Sequence, residues 1–446
     1  MTATGGDTAG RGIGVRWRIC GLMTLAGFVA YLLRTNMSVA GAPMAAELGL
    51  THVQLGVVLG GFAWGYAIFQ LPGGVLGDRM GPRRAVAGMA LSWAVLNLLV
   101  GLTPARTAGF TALVVGGLAL LRFLMGAAQA PLFPVIGGGA LCRWFPVSGW
   151  ALPNAMQNVG LTFGAAATGP MIAWLSGTVG WRASFLLTAP AGAALAAAWW
   201  WYVRDTPAEH AAVSRAELEL IRAGRKTGPT DDHAPPGAWR AVLRNREVRL
   251  LTAGYFCATY VFNFFFNWLF LYLIESRGFR LLEGGWYAAA PWIAGAVGAF
   301  AGGWLCDRLW RRIGARSSCR ALGAGGLALT AVCLLIAAGA THPVVAVAWL
   351  SLCLAAQQLT DAVYWAGAIS VAGPRASVAC GVMNTGGNVS GGVGALLVPL
   401  LVDRFGWGPA LASGALFALG GAALWLITAV DRPMAESLSP AVGRAA

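Results

Sequence analysis

Stretches of about twenty apolar residues, the length an α-helix needs to cross the hydrocarbon of a bilayer, recur along the whole of this 446-residue chain. We read twelve, at approximately 18–44, 54–77, 85–103, 110–141, 151–175, 183–203, 250–274, 284–306, 320–340, 344–373, 377–402 and 409–430. Backbone polar groups in lipid must be satisfied within their own segment, so spans of this length read as helices. With 57% hydrophobic and 11% charged residues, the composition is that of an integral membrane protein. The longest break, 204–249, leaves no room for a separate soluble domain.

Arginine placement sets the expected orientation, because cytoplasmic loops retain Lys and Arg. With the N-terminus inside, five of the 31 Lys and Arg fall outside (Arg106, Arg182, Arg277, Arg280, Arg404) and two lie within spans (Arg34, Arg122). The rest fall on the cytoplasmic side, so both termini are expected there. That topology accounts for the net charge of +14, and nucleic acid is not expected as a partner. The first apolar stretch is too long for a signal-peptide core and is expected to stay as helix 1. The eight cysteines lack CxxC spacing and read as small apolar residues. His52, His210, His233 and His342 all read as loop residues, which argues against a histidine metal site or an intramembrane histidine relay.

Residues 74–84 read GVLGDRMGPRR and residues 303–316 read GWLCDRLWRRIGAR. Glycine, leucine, aspartate and arginine recur in the same order about half a chain apart, which reads as a duplication of six plus six helices. The expected fold is therefore an all-α polytopic membrane protein of twelve transmembrane helices, with halves at 1–203 and 250–446 and a cytoplasmic linker at 204–249. Duplicated halves around a central cavity are the architecture of secondary transporters, with substrate near the midplane.

A charged side chain at a helix centre costs roughly 2.5 to 3.5 kcal/mol on insertion scales and normally faces a cavity. Arg122 lies near the middle of its segment and Arg34 toward the outer part of helix 1. A guanidinium fork matches a carboxylate, so both are candidates for holding an anion; the alternative is that they only tie helices together. Gln129 is seven residues after Arg122, on the same helical stripe. Of the 17 Asp and Glu, only Asp361 lies deep in a span. Gln358, Asp361 and Trp365 share one face of it. Asp361 is expected either to partner an arginine, directly or through substrate or water, and to handle a coupling proton, or to form a fixed structural ion pair. Tyr255, Tyr260, Trp268 and Trp365 would suit an aromatic carboxylate, and amides such as Asn384 and Asn388 a polyhydroxylated acid.

The GxLxDRxGxRR string and its weaker copy resemble the signature of the major facilitator superfamily. More narrowly, LLRTNMSVA (32–40), GYAIFQLPGG (65–74), LRFLMGAAQAPLFP (121–134), RWFP (143–146), GWRASF (180–185), VRDTPAEH (203–210), NWLFLYL (267–273) and GVMNTGGNVSGG (381–392) resemble the anion:cation symporter family of organic-anion carriers. The resemblance implies a substrate site containing Arg34, Tyr66, Arg122, Gln129, Gln157, Trp365 and Asn384. It also implies a cytoplasmic gate of Asp78, Arg79, Arg83, Asp307 and Arg308, symport of an organic anion with H+, a monomer, and a bacterial plasma membrane. The family usually places Glu where this chain has Gln129, and often Asp where it has Leu33; neither residue here can titrate. Proton symport, uniport and exchange therefore stay open.

Within transport, multidrug efflux is a second reading. AAATGPMIAW (165–174) keeps Gly169 and Pro170 of an antiporter motif but lacks its other glycines. A carrier-like sensor that binds without moving its ligand is a third. No enzyme constellation, cofactor or metal site is expected. In the linker, Ser214 and Glu217 have capping-box spacing ahead of a short helix, and 225–239 reads as a flexible connection.

Overall fold

The computed structural model describes residues 14–104, 111–145, 151–223 and 238–432, and every regular element among them is helical. We number the spanning helices α1 (Val15–Leu48), α2 (His52–Met80), α3 (Pro82–Gly101), α4 (Thr111–Gln129, continued by a π-helical turn Pro134–Leu141), α5 (Ala151–Val179) and α6 (Trp181–Tyr202). The second half contains α7 (Arg246–Asn267, bent by 54° into Leu269–Glu275), α8 (Leu281–Ile313), α9 (Ala315–Gly339), α10 (Pro343–Ala372), α11 (Ala376–Phe405) and α12 (Trp407–Ile427). The bent α7 counts as one span, which gives the twelve that the apolar stretches predict. Lipid-facing side chains such as Phe300, Leu416 and Leu113 are exposed, as expected where the solvent is hydrocarbon.

The duplication extends to the turns. Gly81 follows α2 at φ 78° and Gly314 follows α8 at φ 81°. Gly180 and Gly406, each followed by Trp, join α5 to α6 and α11 to α12 at φ 88° and φ 80°. An L-residue is strained in that region, so corresponding corners of both halves need glycine. Asp205 supports the first corner by accepting a hydrogen bond from the Arg83 backbone N–H at 2.9 Å, at the positive end of α3.

Within the first half α1 packs on α5, α2 on α4 and α3 on α6; within the second α8 packs on α10, α7 on α11 and α9 on both α10 and α12. Small residues allow close backbone approach in the central pairs. Gly61 and Gly65 of α2 lie against the Ala119 and Phe123 backbone of α4, and Gly126 of α4 against the Phe62 carbonyl. Gly298 and Gly302 of α8 meet Ala355 and Leu359 of α10 in the same way.

The linker helix Arg215–Ala223 forms, with a modified cap. Ser214 accepts from the Glu217 backbone N–H at 3.1 Å. The Glu217 carboxylate, instead of closing a capping box, takes the Val15 and Arg16 N–H groups at 3.2 and 3.0 Å. It thereby caps α1, whose free N–H groups attract an anion. The connection read at 225–239 falls mostly outside the described residues. One histidine differs from the loop reading, since His52 is the first residue of α2; His342 lies just ahead of α10 and caps it by accepting from the Val344 N–H.

Candidate functional site

Arg122 is 2% exposed. Its Nη2 donates to the Arg34 backbone carbonyl of α1 at 3.1 Å, and its guanidinium lies 5.0 Å from the Phe62 ring centroid. The other face of the site is the Arg34 guanidinium, surrounded by four aromatic rings. These are Phe266 at 4.2 Å, Phe62 at 4.4 Å, and Tyr31 and Tyr66 at 5.4 Å each. Ring faces attract a cation, but they supply no negative charge. Among the described residues, neither arginine has a carboxylate partner, and the buried Nε of each lacks a hydrogen-bond acceptor. Phe266 belongs to α7, so the cage is closed by the opposite half.

Backbone hydrogen bonds and amides hold this region in place. Asn36, two residues after Arg34, donates to Asn97 of α3 at 2.8 Å. Asn97 in turn donates to the Phe185 carbonyl and the Thr188 hydroxyl of α6, both at 3.0 Å. Three helices are thus pinned around the arginine. Gln129 shares the stripe of Arg122 but turns its amide N–H to the Ala30 carbonyl at 3.0 Å, so it ties α4 to α1 and makes no bond to Arg122. Gln157 on α5 is buried with its Nε2 unpartnered, a donor available to a ligand. Tyr66 is buried one turn beyond Phe62, with which it stacks at 5.9 Å.

In the second half, the Asp361 carboxylate accepts from the Tyr255 hydroxyl and the Trp365 indole N–H, each at 3.1 Å. The i, i+4 relation of Asp361 and Trp365 makes the second contact local. Neither arginine bonds to Asp361, so direct pairing with Arg34 or Arg122 is absent here. Asn384 sits half-buried on α11, and its carbonyl accepts from Asn388 at 2.8 Å. The Asn388 amide also donates to Gln70 of α2 at 3.3 Å, a bond between halves. Tyr260 does not join the site: its hydroxyl pairs with Ser413 at 3.0 Å and its ring stacks on Phe417, both on α12. Trp268 is fully buried at the α7 bend.

The halves touch on the face opposite the termini. There Gly56 and Gly60 of α2 meet Ala395 of α11, Gly169 of α5 meets the Gly285 carbonyl of α8, and His52 of α2 lies between Glu275 of α7 and Asp403 of α11. Gly169, the remnant of the antiporter-like string, thus serves helix packing. On the terminal face, the contacts seen for Arg83 and Arg308 among the described residues stay within their own halves. Arg83 stacks on Trp200 at 4.7 Å and donates to the Trp200 carbonyl at 3.0 Å, within its own half. Arg79 and Asp307 are exposed, and Arg308 lies 5.3 Å from the Trp304 ring. The Asp78 side chain lies outside the described residues.

Residues 23–376 match the family model of the Major Facilitator Superfamily. The chain belongs to this superfamily. It is 32% identical over 431 residues to a "Probable sulfoacetate transporter" of Cupriavidus necator, covering 94% of this chain and 96% of that one. It is 28% identical over 413 residues to a "Hexuronate transporter" of Bacillus subtilis, covering 92% of each. Its fold is similar to the crystal structure of a bacterial homolog of the human lysosomal transporter Spinster (TM-score 0.78, 16% identity, 94% and 99% of the two chains). The D-xylose-proton symporter is also similar, at TM-score 0.72 and 12% identity.

Phe62 and Phe266 were not singled out from the sequence. Phe62 carries a readable signal, since it lies four residues before Tyr66 on the same helical face. Phe266 carries none, because its contact with Arg34 joins segments from opposite halves.

Proposed function

We propose that this chain moves a small organic anion bearing a carboxylate or sulfonate across a bacterial plasma membrane by alternating access, with both termini cytoplasmic. It is a superfamily transporter and not an enzyme. The observation that carries the proposal is the pair of guanidinium groups in the span region, Arg34 and Arg122, facing aromatic rings and backbone in place of acids. A desolvated cation without a partner is costly, and an incoming anion supplies the missing acceptors. The relatives named for sulfoacetate and hexuronate, and others named for galactarate/D-glucarate, support this class. With that topology, the contacts between the halves at Gly56, Gly60 and His52 close the external face.

Charge balance connects the substrate to Asp361. Arg34, Arg122 and an ionised Asp361 leave a formal charge of +1, which a monoanion neutralises. A dianion is neutralised only once Asp361 takes a proton, so proton symport follows for dianions without the titratable groups that Leu33 and Gln129 replace. The test is exchange of labelled sulfoacetate, an aldarate and an aldonate in proteoliposomes, with parent and Asp361→Asn. Expected is saturable exchange, with dianion influx that rises as pH falls in the parent and is flat in Asp361→Asn. No exchange of any organic anion would refute transport of this class. An unchanged pH profile in the variant would refute the role of Asp361. Binding without exchange would leave a sensor.

A further inference from the structure

The far-face contact at His52 performs no task in the substrate site. Both ring nitrogens are occupied by acids from the other half. Nδ1 lies against Asp403 Oδ1 of α11, and Nε2 lies 3.0 Å and 3.2 Å from the two carboxylate oxygens of Glu275 on the bent segment of α7. All three side chains are about one-third exposed, so water and protons reach them. Carboxylates are acceptors only, and a neutral imidazole has one N–H to offer while an imidazolium has two. Satisfying Asp403 and Glu275 together therefore requires the second proton.

We propose that His52 is a proton-binding latch of the far-face gate, closed when protonated and released when the proton leaves. Loss of that proton removes one donor and the central positive charge, leaving Asp403 and Glu275 as like charges around a neutral ring. The His52 ring then donates to only one of the two acids, and the α2 tip keeps its glycine contacts with α11 but loses one of its two hydrogen-bonded ties. Closure takes up the proton, so by linkage acid favours the closed gate and rising pH favours opening. The remaining charged groups nearby do not replace it. Arg277 is committed to the Tyr272 hydroxyl and the carbonyls of Ala337, Ala338 and Ala340. Arg404 is exposed beyond Asp403, and the α2 neighbours Thr51 and Gln54 are neutral and bond to each other.

If this face is external, as proposed above, the proton arrives from and returns to the same side. It then biases the transport cycle without being cargo, which separates His52 from Asp361. The latch itself depends neither on sidedness nor on substrate.

The test is hydrogen exchange by mass spectrometry on the full chain in lipid nanodiscs, at about pH 5.5 and about pH 8.5, corrected for intrinsic exchange. For the parent, amides at the start of α2 and the end of α11 are expected to exchange at least about tenfold faster at the higher pH, the factor that corresponds to a one-unit difference in the His52 pKa between the closed and open gate. His52→Gln should exchange fast at both pH values, and His52→Lys, which stays charged across this range, should lose the pH response. Asp403→Asn keeps the histidine and should show a reduced response. A parent without pH dependence, or His52→Gln or Asp403→Asn with the full parental response, would overturn the proposal. Because the readout is gate motion, its outcome is separable from any failure to find a transported anion.

Discussion

Arg122→Gln is expected to lower anion exchange at least about a hundredfold, the loss corresponding to roughly 3 kcal/mol for one partner of a buried charge pair. Arg122→Lys should not restore it. A lysine ammonium is a single point charge, whereas Arg122 must hold the Arg34 carbonyl with one nitrogen and present others to the substrate. Stability should move differently. Arg122 is almost fully buried with no acid partner among the described residues, so removing its charge relieves a desolvation cost in the empty protein. The thermal midpoint of ligand-free Arg122→Gln is therefore expected to equal or exceed that of the parent. If the arginine served only to tie α4 to α1, the midpoint would fall and exchange would persist in whatever protein remained folded. Counterflow in proteoliposomes, paired with a thermal scan of the same preparation, separates the two.

Gly126→Val should be the most destabilising of the helix-packing changes. A side chain there meets the Phe62 carbonyl and the Tyr66 nitrogen, which are backbone atoms that cannot rotate away. The α2–α4 pair must separate, at a cost of about 3 kcal/mol, the upper end of ordinary overpacking. The functional effect follows from the same contact, because α2 carries Phe62 and Tyr66 while α4 carries Arg122. Gly116→Val on the same helix has nothing within 4 Å and should be neutral. Thermal unfolding of the two variants beside the parent checks both, and equal midpoints would contradict this account of the helix contact.

The fold was legible because its determinants are local in sequence: apolar length and the recurring Asp-Arg motif. The pairs Gly180–Trp181 and Gly406–Trp407 repeat between the halves as well, a further sign of duplication. The site was legible in part. Arg34, Arg122 and Asp361 stand out as charges in apolar surroundings, and the Asp361–Trp365 contact follows from helical spacing. The partners of those charges on other helices did not follow. Gln129 shares a stripe with Arg122, but its amide reaches α1 instead, because spacing within one helix says nothing about which neighbour lies opposite. His52 shows the limit most clearly. Its acids are 223 and 351 residues away, and only the packing of the two halves brings them together. Glu217 likewise matched a local capping pattern and was drawn instead to the N-terminus of α1, some 200 residues earlier in the chain.

The most direct test of the central claim, that two arginines without an acid partner among the described residues form an anion site, is the thermal midpoint of the purified protein against a panel of ligands. The panel comprises sulfoacetate, aldarates, aldonates, hexuronates, aromatic carboxylates and hydrophobic cations. A ligand that binds the folded state raises the midpoint by mass action. The expected result is a concentration-dependent rise with at least one carboxylate or sulfonate and none with the cations. A rise with the hydrophobic cations alone would contradict it and make efflux the better reading.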